Sequence, residues 1–174
     1  DANLSKYWWR EFLELEAKHT DAFNTEKSMD FFDTRVFSGI KKKHPADYRI
    51  LRNSFVGYYR RKDIFEIEDF IETLFSNYEP EDENLKIDPL VAKIRSLPSS
   101  LGFDKAFDIS KKHIKKRMST RVKVSDAIDL YLKTDVPHFR KTLRSGKTSS
   151  GQMYLQILTE NEDVYKEFLR NEDE

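Results

Sequence analysis

The chain has 174 residues, 38% hydrophobic and 13% aromatic, enough apolar bulk for a core and too much for a disordered polar chain. Its 31 basic and 31 acidic residues cancel, and it has no cysteine, which excludes disulfides, thiolate nucleophiles and zinc–thiolate sites. With few glycines and prolines, and no apolar run near the roughly 18 residues of a membrane span, the composition predicts an intracellular, all-α protein.

Residues 5–19 predict a first helix, with Ser5 as N-cap and Trp8, Phe12 and Leu15 on one stripe. Residues 29–36 predict a short second helix anchored by Phe31 and Phe32, followed by a polar loop holding Gly39 and residues 41–44. Pro45 suits the first position of the next helix, in which Tyr48, Leu51, Phe55 and Tyr58 share a face. Arg49, Arg52, Asn53 and Arg60 take the opposite face, and Gly57 weakens the helix. Residues 66–78 continue the pattern with Ile67, Phe70, Ile71, Leu74 and Phe75 inward and acidic residues outward.

The acidic segment 78–84 has almost no apolar content and predicts an exposed linker, dividing an N-terminal helical part, 1–84, from a C-terminal one, 85–174, packed as one globular unit. Beyond it, Asp88 and Pro89 open a helix that ends before Pro98, and Asp104 starts another carrying Phe107, Ile114 and Met118. Residues 125–133 and 137–144 predict two short helices. Residues 152–158 are ambiguous between a small β element and a helical turn, and Thr159 with Glu162 forms a capping box for a last helix. Together these elements predict a compact bundle of about eight helices.

Charge is segregated along the chain despite the neutral total. Residues 41–62 hold eight basic side chains against one acidic, residues 63–88 ten acidic against one basic, and residues 105–147 thirteen basic against four acidic. Either oppositely charged helices pack together, or the basic blocks build a surface that attracts phosphates. On the second reading the contacts are Lys41, Lys42, Lys43, Arg49, Arg52, Arg60, Arg61, Lys62, Lys111, Lys112, Lys115, Lys116, Arg117, Arg121 and Lys123, with Tyr48, Phe55, Tyr58 and Tyr59 interleaved.

Catalytic patterns are weak. Ser145-Gly146-Lys147-Thr148 resembles the end of a phosphate loop, but the position that needs the leading glycine is Lys141. His19, His44, His113 and His138 stand too far apart for two ligands on one helix face, so neither a metal nor another cofactor is expected. The carboxylates of residues 63–83 lie on a solvated face, where nothing desolvates them for acid–base work.

One stretch is more specific. Pro45-x-x-Tyr48-x-x-x-Arg52-Asn53-x-x-Val56-x-x-Tyr59-Arg60 resembles the start of the long central helix of SWIRM domains, the helical modules of chromatin-remodelling and histone-demethylase complexes. Phe31-Phe32-x-x-Arg35 upstream and residues 88–103 downstream resemble the flanking segments, so the likeness covers about residues 28–104. It implies a nuclear domain that touches DNA or a chromatin subunit through Arg49, Arg52, Arg60 and Arg61. The expectation is a non-enzymatic module of a chromatin or nucleic-acid complex, with DNA and other protein subunits as partners and no membrane or small-molecule substrate. The alternatives are a protein-interaction scaffold without nucleic acid and the core-binding part of a recombinase.

Overall fold

A computed structural model describes residues 19–96 and 102–170 of the chain. The chain divides into two compact units, Asp1–Asp135 and Val136–Glu174. The helix expected over residues 5–19 lies outside the described residues except for His19.

In the first unit, Thr20 caps α1 (Asp21–Phe31) by accepting the Phe23 amide at 3.3 Å. The helix continues without a break through a π-helical segment, Phe32–Phe37, into α2 (Ser38–Lys43). A bonding step of five residues matches the spacing of Phe32 and Phe37, so both side chains turn inward with Val36. Lys41, Lys42 and Lys43 therefore sit on the last turn of a helix and not in the expected loop; the cations favour that end of the dipole. The helix stops at His44 because the residue before a proline is driven out of the α region. Pro45 then opens α3 (Pro45–Arg61).

Leu51, Phe55 and Tyr58 of α3 are completely or almost completely buried, as their spacing predicts, whereas Tyr48 of the same stripe is half-buried and Tyr59, outside it, is buried as well. The buried residues meet Phe32, Phe65 and Phe70 in one aromatic cluster, with Phe32 and Phe70 centroids 4.4 Å apart and Phe55 and Tyr59 5.0 Å apart. Each fully buried ring contributes about 2–3 kcal/mol by area, so this cluster dominates the unit. The two buried tyrosines keep their hydroxyls satisfied: Tyr59 donates to Ser28 and Tyr58 to Asp69, both at 2.8 Å.

Short strands close the cluster from below. β1 (Ile64–Glu66) leads directly into α4 (Ile67–Phe75), whose Phe70, Ile71, Leu74 and Phe75 are buried, and α5 (Ile87–Arg95) packs beside it. β2 (Ala106–Asp108) pairs antiparallel with β1, placing Phe107 opposite Phe65 with rings stacked at 4.8 Å. The polar face of α1 holds this return in place: Asn24 exchanges two 2.9 Å hydrogen bonds with Asp104, Asp21 accepts the Asp108 amide, and Thr25 the Ser110 amide. α6 (Lys111–Met118) follows and buries Ile114. β3 (Thr120–Lys123) and β4 (Asp129–Leu132) then form a hairpin.

The acidic segment after α4 belongs to this unit. Asp47, fully buried in the first turn of α3, accepts the Tyr78 hydroxyl at 2.6 Å and the amides of Glu81 and Asp82 at 2.7 and 3.1 Å. His44 adds a 2.7 Å contact to Asp82.

The second unit comprises α7 (Phe139–Thr142), β5 (Leu143–Lys147), β6 (Met153–Ile157) and α8 (Glu162–Phe168). β5 and β6 form an antiparallel hairpin in which Gly146 faces Tyr154. A side chain at 146 would collide with the Tyr154 ring, so the glycine of Ser145-Gly146-Lys147-Thr148 serves cross-strand packing within a strand. Asn161, and not the expected Thr159, caps α8 by accepting the amides of Asp163 and Val164, and Glu162 is the first residue of the helix.

The fold is therefore mixed α/β and not an all-α bundle: among the described residues 52% are helical and 16% lie in three separate two-stranded antiparallel sheets. Residues 125–133 hold a turn and strand where a helix was expected, residues 106–108 are a strand before α6, and residues 143–147 extend out of α7 as β5. The ambiguous segment 152–158 resolves as β6.

Candidate nucleic-acid interface

The corner between α2 and α3 concentrates cations around one aromatic ring. The Lys41 ammonium stands 5.7 Å and the Arg49 guanidinium 5.4 Å from the centroid of half-buried Tyr48, both over its face. Lys42 and Lys43 are exposed on the same turn as Lys41. Next to them opens a cleft of about 450 Å³ lined by Lys41, Tyr48, Arg52, Asp33, Thr34, Ser38, Ser119 and Thr120. Hydroxyls and cations thus converge from the π-helical segment, α2, α3 and the junction of α6 with β3.

Arg52 forms the floor and is not a free contact. It is 8% exposed, pairs with Asp33 at 2.8 Å and donates to the Arg117 carbonyl at 2.8 Å. Its guanidinium lies 5.0 Å from the Phe55 centroid, and its buried Nη1 has no hydrogen-bond partner. Burial raises the Asp33 carboxyl above its ordinary range, against the lowering charges of Arg52 and Arg117. Arg52 thus braces the cleft through its pair with Asp33, which lines the same cleft.

The other predicted contacts divide by what they touch. Arg60 and Arg61 both bind Asp135, whose side chain is 3% exposed. Burial alone would raise that carboxyl, but hydrogen bonds from Arg60 and Thr134 and the charges of Arg60 and Arg61 hold it below the usual range. Gly57 makes the arrangement possible, since a Cβ there would stand 2.5 Å from Arg61 Nη2 and 2.9 Å from Asp135 Oδ2. Lys111 donates to the carbonyls of Tyr59, Arg60 and Lys62 at the end of α3, and desolvation holds its ammonium below its ordinary value despite nearby Asp63. Lys62 pairs with Asp69, Arg117 with Asp30, Arg121 with Asp129 and Lys123 with Asp126.

Eight of the fifteen predicted cations are thus in ion pairs within the first unit. Among the described residues, Lys41, Lys42, Lys43, Arg49, Lys112 and Lys115 have no carboxylate partner; Lys116 lies on α6. The structure gathers Lys41, Arg49 and Arg52 beside one cleft and ties Arg60 and Arg61 to a buried acid instead. Thr34, Ser38, Ser119 and Thr120 were absent from the sequence reading, because nothing in their spacing announces that residues 34 and 120 meet across the cleft.

Among the described residues no cluster of histidine and carboxylate side chains is disposed to hold a metal ion, and no helix is long and apolar enough to cross a membrane. Comparison with protein-family models, with curated proteins and with solved structures finds no match to this chain.

Proposed function

We propose that the chain is a non-enzymatic module that binds nucleic-acid phosphates through the corner made by Lys41, Lys42, Lys43 and Arg49. The supporting observation is the cation pair around Tyr48 beside a cleft lined by four hydroxyls, Lys41 and the Arg52–Asp33 pair. The exposed ammonium groups of Lys41, Lys42 and Lys43 and the half-buried guanidinium of Arg49, without carboxylate partners, gain from displacing counterions on a phosphate backbone. A partly exposed aromatic ring among them suits stacking against a base or sugar. Such contacts position the protein without reading sequence. The likeness to the central SWIRM helix is in keeping with a chromatin-associated, nuclear role, although Arg52 would then act by bracing the corner and not by touching DNA.

The test is duplex-DNA binding by fluorescence anisotropy at low and moderate salt, for the native chain and for Lys41→Gln/Lys42→Gln/Lys43→Gln/Arg49→Gln together. Binding that weakens with salt, and loses about 0.9 of log–log slope for each phosphate contact removed, supports the reading. Native binding that is absent, or indifferent to both salt and substitution, overturns it.

A second reading, a protein-interaction module, is favoured by the second unit. Met153, Tyr154, Leu155, Ile157, Tyr165 and Phe168 are all exposed there, Met153 at 78% and Phe168 at 72%. Exposed apolar side chains in this number on a small unit are in keeping with contact to another protein.

A further inference from the structure

We propose that β6 is a self-pairing edge through which two copies of this chain form a continuous four-stranded antiparallel sheet. The hairpin hydrogen bonds fix which main-chain groups remain open. Leu158 donates to Thr142 and Thr148 to Gln152, so the bonded pairs of the ladder alternate with pairs that face outward. By that alternation Met153, Leu155 and Ile157 direct their N–H and C=O groups away from β5, and among the described residues no strand pairs with them.

The two edges of the hairpin differ. β5 carries Arg144 and Lys147, charges of the sort that protect an edge from pairing. β6 reads Met-Tyr-Leu-Gln-Ile, with no charge, no proline and no glycine. An antiparallel twofold centred on Leu155 sets Leu155 opposite its own copy and Met153 opposite Ile157, with each facing pair exchanging both main-chain bonds. That isologous register opposes no like charges and puts apolar side chains against one another. It also answers a deficit: a lone two-stranded hairpin is marginal in water, and the second unit has no buried hydrophobic residue among those described.

Sedimentation velocity across a concentration series tests the proposal. The native chain should show a concentration-dependent rise from the 20.7 kDa monomer to twice that mass. Leu155→Lys, which sets two ammonium groups opposite each other, should abolish the rise, whereas Arg144→Glu on the other edge should leave it. Protection of the cross-hairpin amides of 144, 146, 154 and 156 reports that the hairpin stays formed in both variants, and amide exchange at 153, 155 and 157 should slow with concentration only in the native and Arg144→Glu chains. A native chain that stays monomeric at every concentration overturns the proposal, as does a dimer that survives Leu155→Lys.

Discussion

A methyl group at Gly57 would stand 2.9 Å from the Asp135 carboxylate, so the one glycine of α3 is the residue that admits the acid binding Arg60 and Arg61. Gly57→Ala should therefore lower stability by about 1 kcal/mol, the crowding outweighing the roughly 1 kcal/mol that alanine gains in helix propensity. In an Asp135→Ala background the same substitution should become stabilising. Urea midpoints for the four chains of this cycle check the reversal of sign, and a penalty that persists without Asp135 would refute Asp135 as the source of the crowding.

Asp135 also makes stability depend on pH. Its carboxyl lies below the ordinary value in the folded chain, so the native state binds its proton less readily than the unfolded state does. The contribution is complete above the ordinary carboxylate pKa of about 4 and is lost as pH falls through the depressed folded value. Asp135→Asn should be less stable than the native chain at neutral pH and show a shallower acid-side decline below about pH 4, measured by denaturant midpoints in a pH series.

Asp47 holds three donors on a fully buried carboxylate. Asp47→Ala should cost roughly 2–3 kcal/mol, because the amides of Glu81 and Asp82 lose a charged acceptor. Proteolysis within residues 79–84 should accelerate before global unfolding does. Unchanged cleavage kinetics there would mean the segment is held by something else.

The Phe65–Phe107 stack joins strands far apart in sequence. Either ring replaced by alanine should cost about 3–5 kcal/mol, and the double variant should cost less than the sum because the two share one contact. Thermal or chemical denaturation of the three variants measures both quantities.

Arg52 and Arg49 stand three residues apart on α3 yet should respond differently. Arg52→Ala breaks the pair with Asp33 and leaves the Arg117 carbonyl unmet, a loss of roughly 2 kcal/mol in stability. Arg49→Ala should leave the denaturation midpoint nearly unchanged while lowering DNA affinity and its salt slope. The reverse pattern, with Arg49 structural and Arg52 dispensable to folding, would contradict the assignment of roles.

Helices with long apolar stripes were legible in the sequence: Leu51, Phe55 and Tyr58 define α3, and Phe70, Ile71, Leu74 and Phe75 define α4. What escaped was short or non-local. Ile128, Tyr131 and Leu132 fit a helical spacing as well as an alternating one, and only pairing of Val122 with Leu130 and Arg121 with Tyr131 decides for strands. β1 and β2 are three residues each and gain their identity from each other, across an interval that no local pattern spans. The blocked charge was visible, but its outcome was not: which cations meet carboxylates depends on Asp33, Asp69 and Asp135 arriving from other segments.

Phe107, Ile109 and Ile114 complete the aromatic cluster from the far side of residues 97–101. During synthesis, a nascent chain that has emerged only as far as α5 already displays Phe32, Phe55, Phe65 and Phe70 but has nothing to seal them. A chain ending before α6 should therefore expose apolar surface of the kind that favours aggregation.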